Sequence, residues 1–420
     1  MPRLEIQGGR RLLGRVNAAG AKNSVIKLMA ASILFEDAVV ISNVPRLRDV
    51  ETMVALLTHL GATVEWQGTD ELRISAGVLT STCAPYDLVR TMRASFNVLG
   101  PLLARYGSAE VSLPGGCAIG TRPVDQHLLG LGALGAQLEI KAGYVSATAP
   151  HGLIGTDFAF DFPSVGATEH VLMASVLARG TTRLERCACE PEIVDLAQFL
   201  NDAGAKIQGA GTPFIEVEGV AQLTPLKYKV MSDRIEAATY LMAGMATGGS
   251  VTVEQIKKEH LASVVDLMRA TGAELECGAD SITVSAEGRT LTAQSFETAP
   301  FPGFPTDLQA QMMVVNSLAR GISEIGETIF ENRFMHVQEL ARMGADIRLA
   351  KNNSKASVVG VEKLMGAPVM ATDLRASACL VIAGLAAEGT TVIDRIYHLD
   401  RGYEKLEEKL TSLGATVRRV

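Results

Sequence analysis

Six cations recur in this chain at helix starts and loops: Lys22, Arg93, Arg122, Arg333, Arg375 and Arg401. Lys22 follows Gly20-Ala21, and Arg375 closes Thr372-Asp373-Leu374-Arg375, each at the head of a long apolar run. A cation there opposes the positive end of a helix dipole. It becomes favourable when an anion joins it, and the backbone N–H groups of a helix N-terminus bind phosphate or carboxylate. A thiol lies in similar company. Cys117 sits in Pro114-Gly115-Gly116-Cys117-Ala118-Ile119-Gly120-Thr121-Arg122-Pro123-Val124-Asp125. An exposed cysteine near cations loses its proton more readily and becomes a nucleophile or an acid; otherwise it is an inert loop residue. Asp233 and Asp373 read equally well as N-caps, which needs no catalysis. His336 and His398 fit loop hydrogen bonding better than general-base work. Two readings stay open for the cations: solvated surface arginines, or a cleft that gathers polyanionic substrates and closes on them.

The elements that must position these residues repeat. Gly-Ala followed by a strand-like stretch occurs at Gly61, Gly135, Gly204, Gly272, Gly344 and Gly414, at spacings of 74, 69, 68, 72 and 70 residues. Each follows a helix-period apolar stripe, such as Val50, Met53, Leu56, Leu57 and Leu60. A second signal has the same period: an apolar run, then a glycine, then β-rich sequence, as in Ala178-Arg179-Gly180-Thr181-Thr182 and Ala387-Glu388-Gly389-Thr390-Thr391. Each unit reads βαβαββ, too large for a solenoid repeat and suited to a small α/β module. Leu4-Glu5-Ile6-Gln7-Gly8 resembles Ile215-Glu216-Val217-Glu218-Gly219, so the chain begins partway through a module. Residues 1–21 are then expected to complete a module of the C-terminal half. The expected domains are 22–230, carrying the Cys117 loop, and 1–21 plus 231–420. Two chain crossings between them make a natural hinge.

Composition narrows the class. With 420 residues, the chain suggests two or three domains. Hydrophobic residues at 47% and charged residues at 20% exclude disorder. With 39 basic against 46 acidic residues, nucleic acid is not the expected main partner. The longest apolar stretch, Ala378 to Ala387, contains a glycine and falls short of a bilayer span of roughly 20 residues. The six cysteines form no Cys-x-x-Cys and the histidines no His-Glu-x-x-His, so no metal is expected. Unpaired thiols and the lack of a signal-peptide pattern point to the cytoplasm, with no membrane association.

Eight motifs carry a resemblance. They are Gly20-Ala21-Lys22-Asn23, Arg90-Thr91-Met92-Arg93-Ala94-Ser95, Leu113-Pro114-Gly115-Gly116-Cys117, Ser164-Val165-Gly166-Ala167-Thr168, Phe304-Pro305-Thr306-Asp307, Glu331-Asn332-Arg333-Phe334-Met335-His336, Thr372-Asp373-Leu374-Arg375-Ala376 and Asp400-Arg401-Gly402-Tyr403. On these the whole chain resembles the enolpyruvyl transferases, closely those that act on UDP-N-acetylglucosamine at the first committed step of peptidoglycan synthesis. The resemblance implies two inside-out α/β domains of three βαβαββ modules each, with the active site in the interdomain cleft. It implies transfer of the enolpyruvyl group of phosphoenolpyruvate to the sugar 3-hydroxyl, without cofactor, metal or obligate protein partner. By it, Cys117 gives a proton to phosphoenolpyruvate, adds to it covalently and is the thiol that fosfomycin alkylates. Asp307 is the base at the sugar hydroxyl, Asn23 orients that hydroxyl, and Asp373 assists proton movement or orients a cation. Lys22, Arg122 and Arg401 match phosphate-binding positions; Arg333 and Arg375 match carboxylate-side cations. The uridine diphosphate is expected along Arg93, Arg122, Pro123, Val124, Asp125, Gln126, Ser164, Val165, Gly166 and Ile329. One position departs: Asp161-Phe162-Pro163 stands where some relatives carry a lysine, so a nucleotide contact from that side chain does not carry over. The sibling reaction, with shikimate 3-phosphate as acceptor, would use the same phosphoenolpyruvate cations.

Overall fold

A computed structural model describes residues 2–115 and 123–420. The contacts divide the chain into two compact units, one drawn from Gly20–Met231, the other from the segment ending at Ala19 together with Ser232–Val420. Each holds its own apolar core, the first between Val25 and Val230, the second from Leu4–Ala18 and Ile235–Ala415.

Three helices run through each core: α1 (Lys22–Ala31), α2 (Leu99–Tyr106) and α3 (Val165–Ser175) in the first unit, α4 (Arg234–Ala246), α5 (Gln309–Leu318) and α6 (Leu374–Ala386) in the second. Their sequences offer no polar face. In α3 every residue from Ala167 to Ser175 is buried, and in α6 every one from Leu374 to Leu385. A helix apolar all round must be enclosed. In the second unit α4, α5 and α6 pack on one another. In the first, the buried pair Lys27–Glu169 ties α1 to α3. Sheets, half-buried in alternation, supply the outer wall: Thr181–Glu185, for instance, buries Thr182 and Leu184 and turns Arg183 and Glu185 outward.

Among the described residues, six four-stranded sheets share one topology. In each, an edge strand runs parallel to the next and the other two pairings are antiparallel. Asp157–Ala159 beside Thr181–Glu185, then Phe214–Glu218 and Lys206–Gln208, is one example. A second, amphipathic helix of each module closes with the recurring glycine. At Gly61, Gly135, Gly204, Gly344 and Gly414, φ lies between 92° and 106°. The glycine N–H and the following alanine N–H then bond back to the last helical turn, for example Gly61 to Thr58 O and Ala62 to Leu57 O. That is the double-bonded left-handed helix ending, and it explains the glycine of the repeat.

The N-terminal segment does more than the sequence suggests. Leu4–Gln7 lies between Thr390–Asp394 and Thr416–Arg419, the place Phe214–Glu218 occupies in its own sheet. A side chain on Gly8 or Gly219 would strike the carbonyl of Ala387 or Ala178. But Leu13–Asn17 joins a different sheet, parallel to Ser250–Glu254, and Lys227–Lys229 takes the matching edge beside Val39–Ser42 in the first unit. The first 21 residues therefore serve two modules, not one. Tyr86 to Arg93 does not lead straight into a core helix. It forms a single turn, Tyr86–Val89, then a 3-10 stretch, Arg93–Val98, before α2. Pro101 in the first turn of α2 has no N–H to carry a regular helix through from upstream. Among the described residues, no helix is long and apolar enough to cross a membrane.

Candidate active site

In the second unit the N-terminal ends of the core helices bring their polar residues together. Asp307 lies in the 3-10 turn Thr306–Leu308 that leads into α5. Its Oδ1 accepts from Arg333 Nη2 at 2.6 Å and its Oδ2 from Arg375 Nη2 at 2.9 Å. Both arginine side chains are 6% exposed, whereas Asp307 is 26% exposed, so the carboxylate is the reachable member of the trio. Arg375 Nη1 also donates to the Tyr403 hydroxyl at 3.4 Å, and that hydroxyl lies 3.1 Å from Thr239 Oγ1. Burial disfavours charge on Arg375, but Asp307, Tyr403 and Asp233 together outweigh it and raise the guanidinium above its ordinary pKa. Two cations on one carboxylate favour its ionised form. The sequence suggested separate roles for Asp307, Arg333 and Arg375; the structure makes them one cluster.

Asp373 caps α6, its Oδ1 accepting from Arg375 N at 2.8 Å and Ala376 N at 3.1 Å. Burial pushes His336 down to about 4, with Asp373 opposing and Arg333 adding, so the imidazole is neutral near pH 7. His398 stacks on Tyr397 at 4.3 Å and is also lowered, by burial and by Arg401. Arg401 ends the 3-10 stretch Ile396–Arg401, half-buried. Ile329 is exposed, and its N–H donates to Glu327 Oε1 at 2.9 Å. Glu327, unmarked in the sequence, is a keystone: Oε1 also accepts from Thr298 Oγ1 at 3.0 Å and Phe330 N at 3.1 Å, and Oε2 from Thr306 Oγ1 at 2.9 Å. It thereby fixes the turn holding Ile329 and the residue preceding Asp307.

In the first unit Lys22 opens α1, whose N-cap, Ala21, makes no side-chain capping bond. Lys22 Nζ lies 3.2 Å from Asp49 Oδ2, and the two side chains are 14% and 4% exposed. Part of the anion demanded by a cation at that position is thus met from within the fold. Asn23 is half-buried beside it. Arg93 Nη2 donates to Pro123 O at 2.8 Å, joining two residues expected at the nucleotide. Pro123 and Asp125 are exposed and Val124 half-buried. Gln126 is different: its amide donates to Asp161 Oδ2 at 2.7 Å and accepts from Asp161 N at 2.9 Å, so the side chain is engaged with protein. Ser164 Oγ accepts from Ala167 N and caps α3, with Val165 and Gly166 half-buried in its first turn. Asn97 Nδ2 donates to Gly166 O at 3.2 Å. Cys117 and Arg122 lie outside the described residues.

Residues 6–410 match the family model described as EPSP synthase (3-phosphoshikimate 1-carboxyvinyltransferase). The chain belongs to this family. Within the EPSP synthase family, three relatives named UDP-N-acetylglucosamine 1-carboxyvinyltransferase match the entire chain and 99% of their own length. Those from Dichelobacter nodosus and Trichlorobacter lovleyi are 54% identical and that from Maricaulis maris 55%. Among solved structures, the enolpyruvyl transferase NikO from Streptomyces tendae superposes with a TM-score of 0.90 at 28% identity, covering 100% of this chain and 99% of its own. EPSP synthase from Acinetobacter baumannii superposes at 0.77 with 18% identity over the full length of both chains, which is agreement in fold. The six-module α/β architecture is therefore that of the family.

Proposed function

We propose that the chain transfers the enolpyruvyl group of phosphoenolpyruvate to the 3-hydroxyl of UDP-N-acetylglucosamine and releases phosphate. The observation that carries this is full-length identity of 54–55% to relatives named for that acceptor. The chemistry has three steps. Cys117 gives a proton to C3 of phosphoenolpyruvate, leaving oxocarbenium character at C2. The sugar hydroxyl, losing its proton to Asp307, attacks C2. The tetrahedral adduct then loses a C3 proton and phosphate.

The Asp307 cluster suits the second step in one particular way. A carboxylate held by two guanidinium groups is a weakened base. When Arg333 or Arg375 turns to the carboxylate of phosphoenolpyruvate, Asp307 loses part of that restraint and gains basicity as the substrate arrives. Lys22, Arg122 and Arg401 bind phosphate, and Arg93, Pro123, Val124, Asp125, Ser164, Val165, Gly166 and Ile329 receive the uridine diphosphate. Gln126 contributes through its backbone, because its amide is committed to Asp161. Asp373 acts as a cap that holds Arg375 in place. On this reading the enzyme works in the cytoplasm at the first committed step of peptidoglycan synthesis, and Cys117 is open to fosfomycin.

The family description names a different acceptor, shikimate 3-phosphate. Phosphate release measured with phosphoenolpyruvate and each acceptor in turn separates the two. Release with shikimate 3-phosphate alone would overturn the proposal.

A further inference from the structure

Two buried histidines in the first unit fall outside the chemistry above. His127 lies in the first turn of the helix Asp125–Ala133, directly after Pro123–Gln126. His170 lies on α3, four residues beyond Gly166 and so on the same helical face. Their Nδ1 atoms are 2.9 Å apart. The Gly100 N–H donates to His170 Nε2 at 2.6 Å. That bond fixes the protons. His170 Nε2 must be the acceptor, so the neutral ring carries its hydrogen on Nδ1 and donates it to His127 Nδ1. His127 then carries its own hydrogen on Nε2. Burial lowers His170 to about 3, with Lys27 adding, so the donating ring stays neutral.

Both ends of this chain press on glycines. A Cβ on Gly100 would come within 2.6 Å of His170 Cδ2, and one on Gly166 would lie 3.3 Å from His127 Cε1 and 3.5 Å from Nε2. Phe96 meets both rings edge-on, at 5.6 and 5.7 Å. Beside the pair runs the reciprocal Gln126–Asp161 bond, from the neighbouring residue of the same turn to the segment just ahead of Ser164. Adjacent residues, Gln126 and His127, thus bond to Asp161 and His170, which flank the segment Ser164–Gly166 on its two sides.

We propose that His127 and His170 are positioning residues for the nucleotide half of the acceptor. They lock the two uridine-diphosphate segments in register, setting affinity for the UDP-sugar and leaving the reacting atoms alone. Apolar residues would fill the same core space but leave the Gly100 N–H without its acceptor. A directed pair adds orientation, because each bond is made in one tautomeric state. This role rests on the acceptor proposed above.

The test is the double variant His127→Leu/His170→Leu, which removes both imidazoles together and leaves only the Gly100 N–H to lose its acceptor. The expected result is a folded enzyme whose KM for UDP-N-acetylglucosamine rises about tenfold, with kcat and the KM for phosphoenolpyruvate each within roughly threefold of wild type. His170→Gln, whose amide can accept from Gly100 and donate to His127, recovers part of the affinity. If the double variant misfolds, His170→Gln and nitrogen-15 NMR of the wild-type imidazoles carry the test: His170 should bear its proton on Nδ1 and His127 on Nε2. An unmoved KM for the UDP-sugar, a loss confined to kcat, or the opposite tautomers would overturn the proposal. A wild-type enzyme releasing no phosphate with that acceptor would sink the functional reading itself, a result distinct from an active wild type whose variants keep their KM.

Discussion

Asp307→Asn separates the structural from the chemical work of one carboxylate. The substitution keeps the volume and removes the charge that Arg333 and Arg375 share at 2.6 and 2.9 Å. Breaking a buried ion pair by removing one partner costs about 3–5 kcal/mol. Asp307 is a quarter exposed and asparagine retains an acceptor, so about 2–3 kcal/mol is the reasonable figure here. In a unit of this size that lowers Tm by roughly 5–10 °C. Losing a general base costs about 10²- to 10⁴-fold in turnover. The assays are thermal unfolding, phosphate release under saturating substrates, and calorimetric titration with UDP-N-acetylglucosamine. The expected pattern is a less stable protein that still binds the UDP-sugar and scarcely turns over. Inorganic phosphate should restore part of the lost Tm by occupying the gap between the two freed guanidinium groups. Turnover equal to wild type in the folded variant would refute the base role, and an unchanged Tm would refute the electrostatic clamp.

Acidification should destabilise the protein through its buried histidines. His170 and His336, held at about 3 and about 4 against an ordinary 6.5, are neutral in the fold and take up protons when unfolded. Stability is therefore complete above pH 6.5 and falls below it, by about 2 kcal/mol per histidine at pH 5, measurable as urea midpoints that are lower at pH 5 than at pH 7. His336→Gln should flatten that slope; a midpoint unchanged between the two pH values would contradict the assignment. Gly204→Ala, at φ 97° with open space around it, should cost about 1–2 kcal/mol by denaturant titration, whereas Gly219→Ala, facing the Ala178 carbonyl, should fail to accumulate as folded protein. Cys117→Ser should severely impair phosphate release and abolish alkylation by fosfomycin; full activity in that variant would dismiss the proton-donor role.

The repeat was legible because its signals are local. A glycine forced to positive φ and a helix apolar on every face leave marks that need no knowledge of distant contacts. The edge strands were not legible: Lys227–Lys229 and Leu13–Asn17 are short, and each pairs with a strand roughly two hundred residues away. In the site, the sequence marked Lys22 and Arg375 as unusual cations at helix starts and Arg333 as a loop cation, and the resemblance added Asp307, but none of this gave a sign that each already has a partner inside its unit. Partnerships of that kind depend on side-chain reach in three dimensions. The same is true of Glu327 and of the His127–His170 pair, which carry no motif of their own. Asp373 is the instructive case, since capping and catalysis ask for the same residue at the same place, and its hydrogen bonds are those of a cap.

Enolpyruvyl transfer to a UDP-sugar leaves two products that can be measured. It is tested most directly by incubating the purified protein with phosphoenolpyruvate and either UDP-N-acetylglucosamine or shikimate 3-phosphate, then measuring inorganic phosphate and the mass of the acceptor. Phosphate release and an enolpyruvyl adduct are expected with UDP-N-acetylglucosamine and neither with shikimate 3-phosphate. An unmodified UDP-sugar in the presence of folded enzyme, or an adduct on shikimate 3-phosphate, would contradict the proposed transfer.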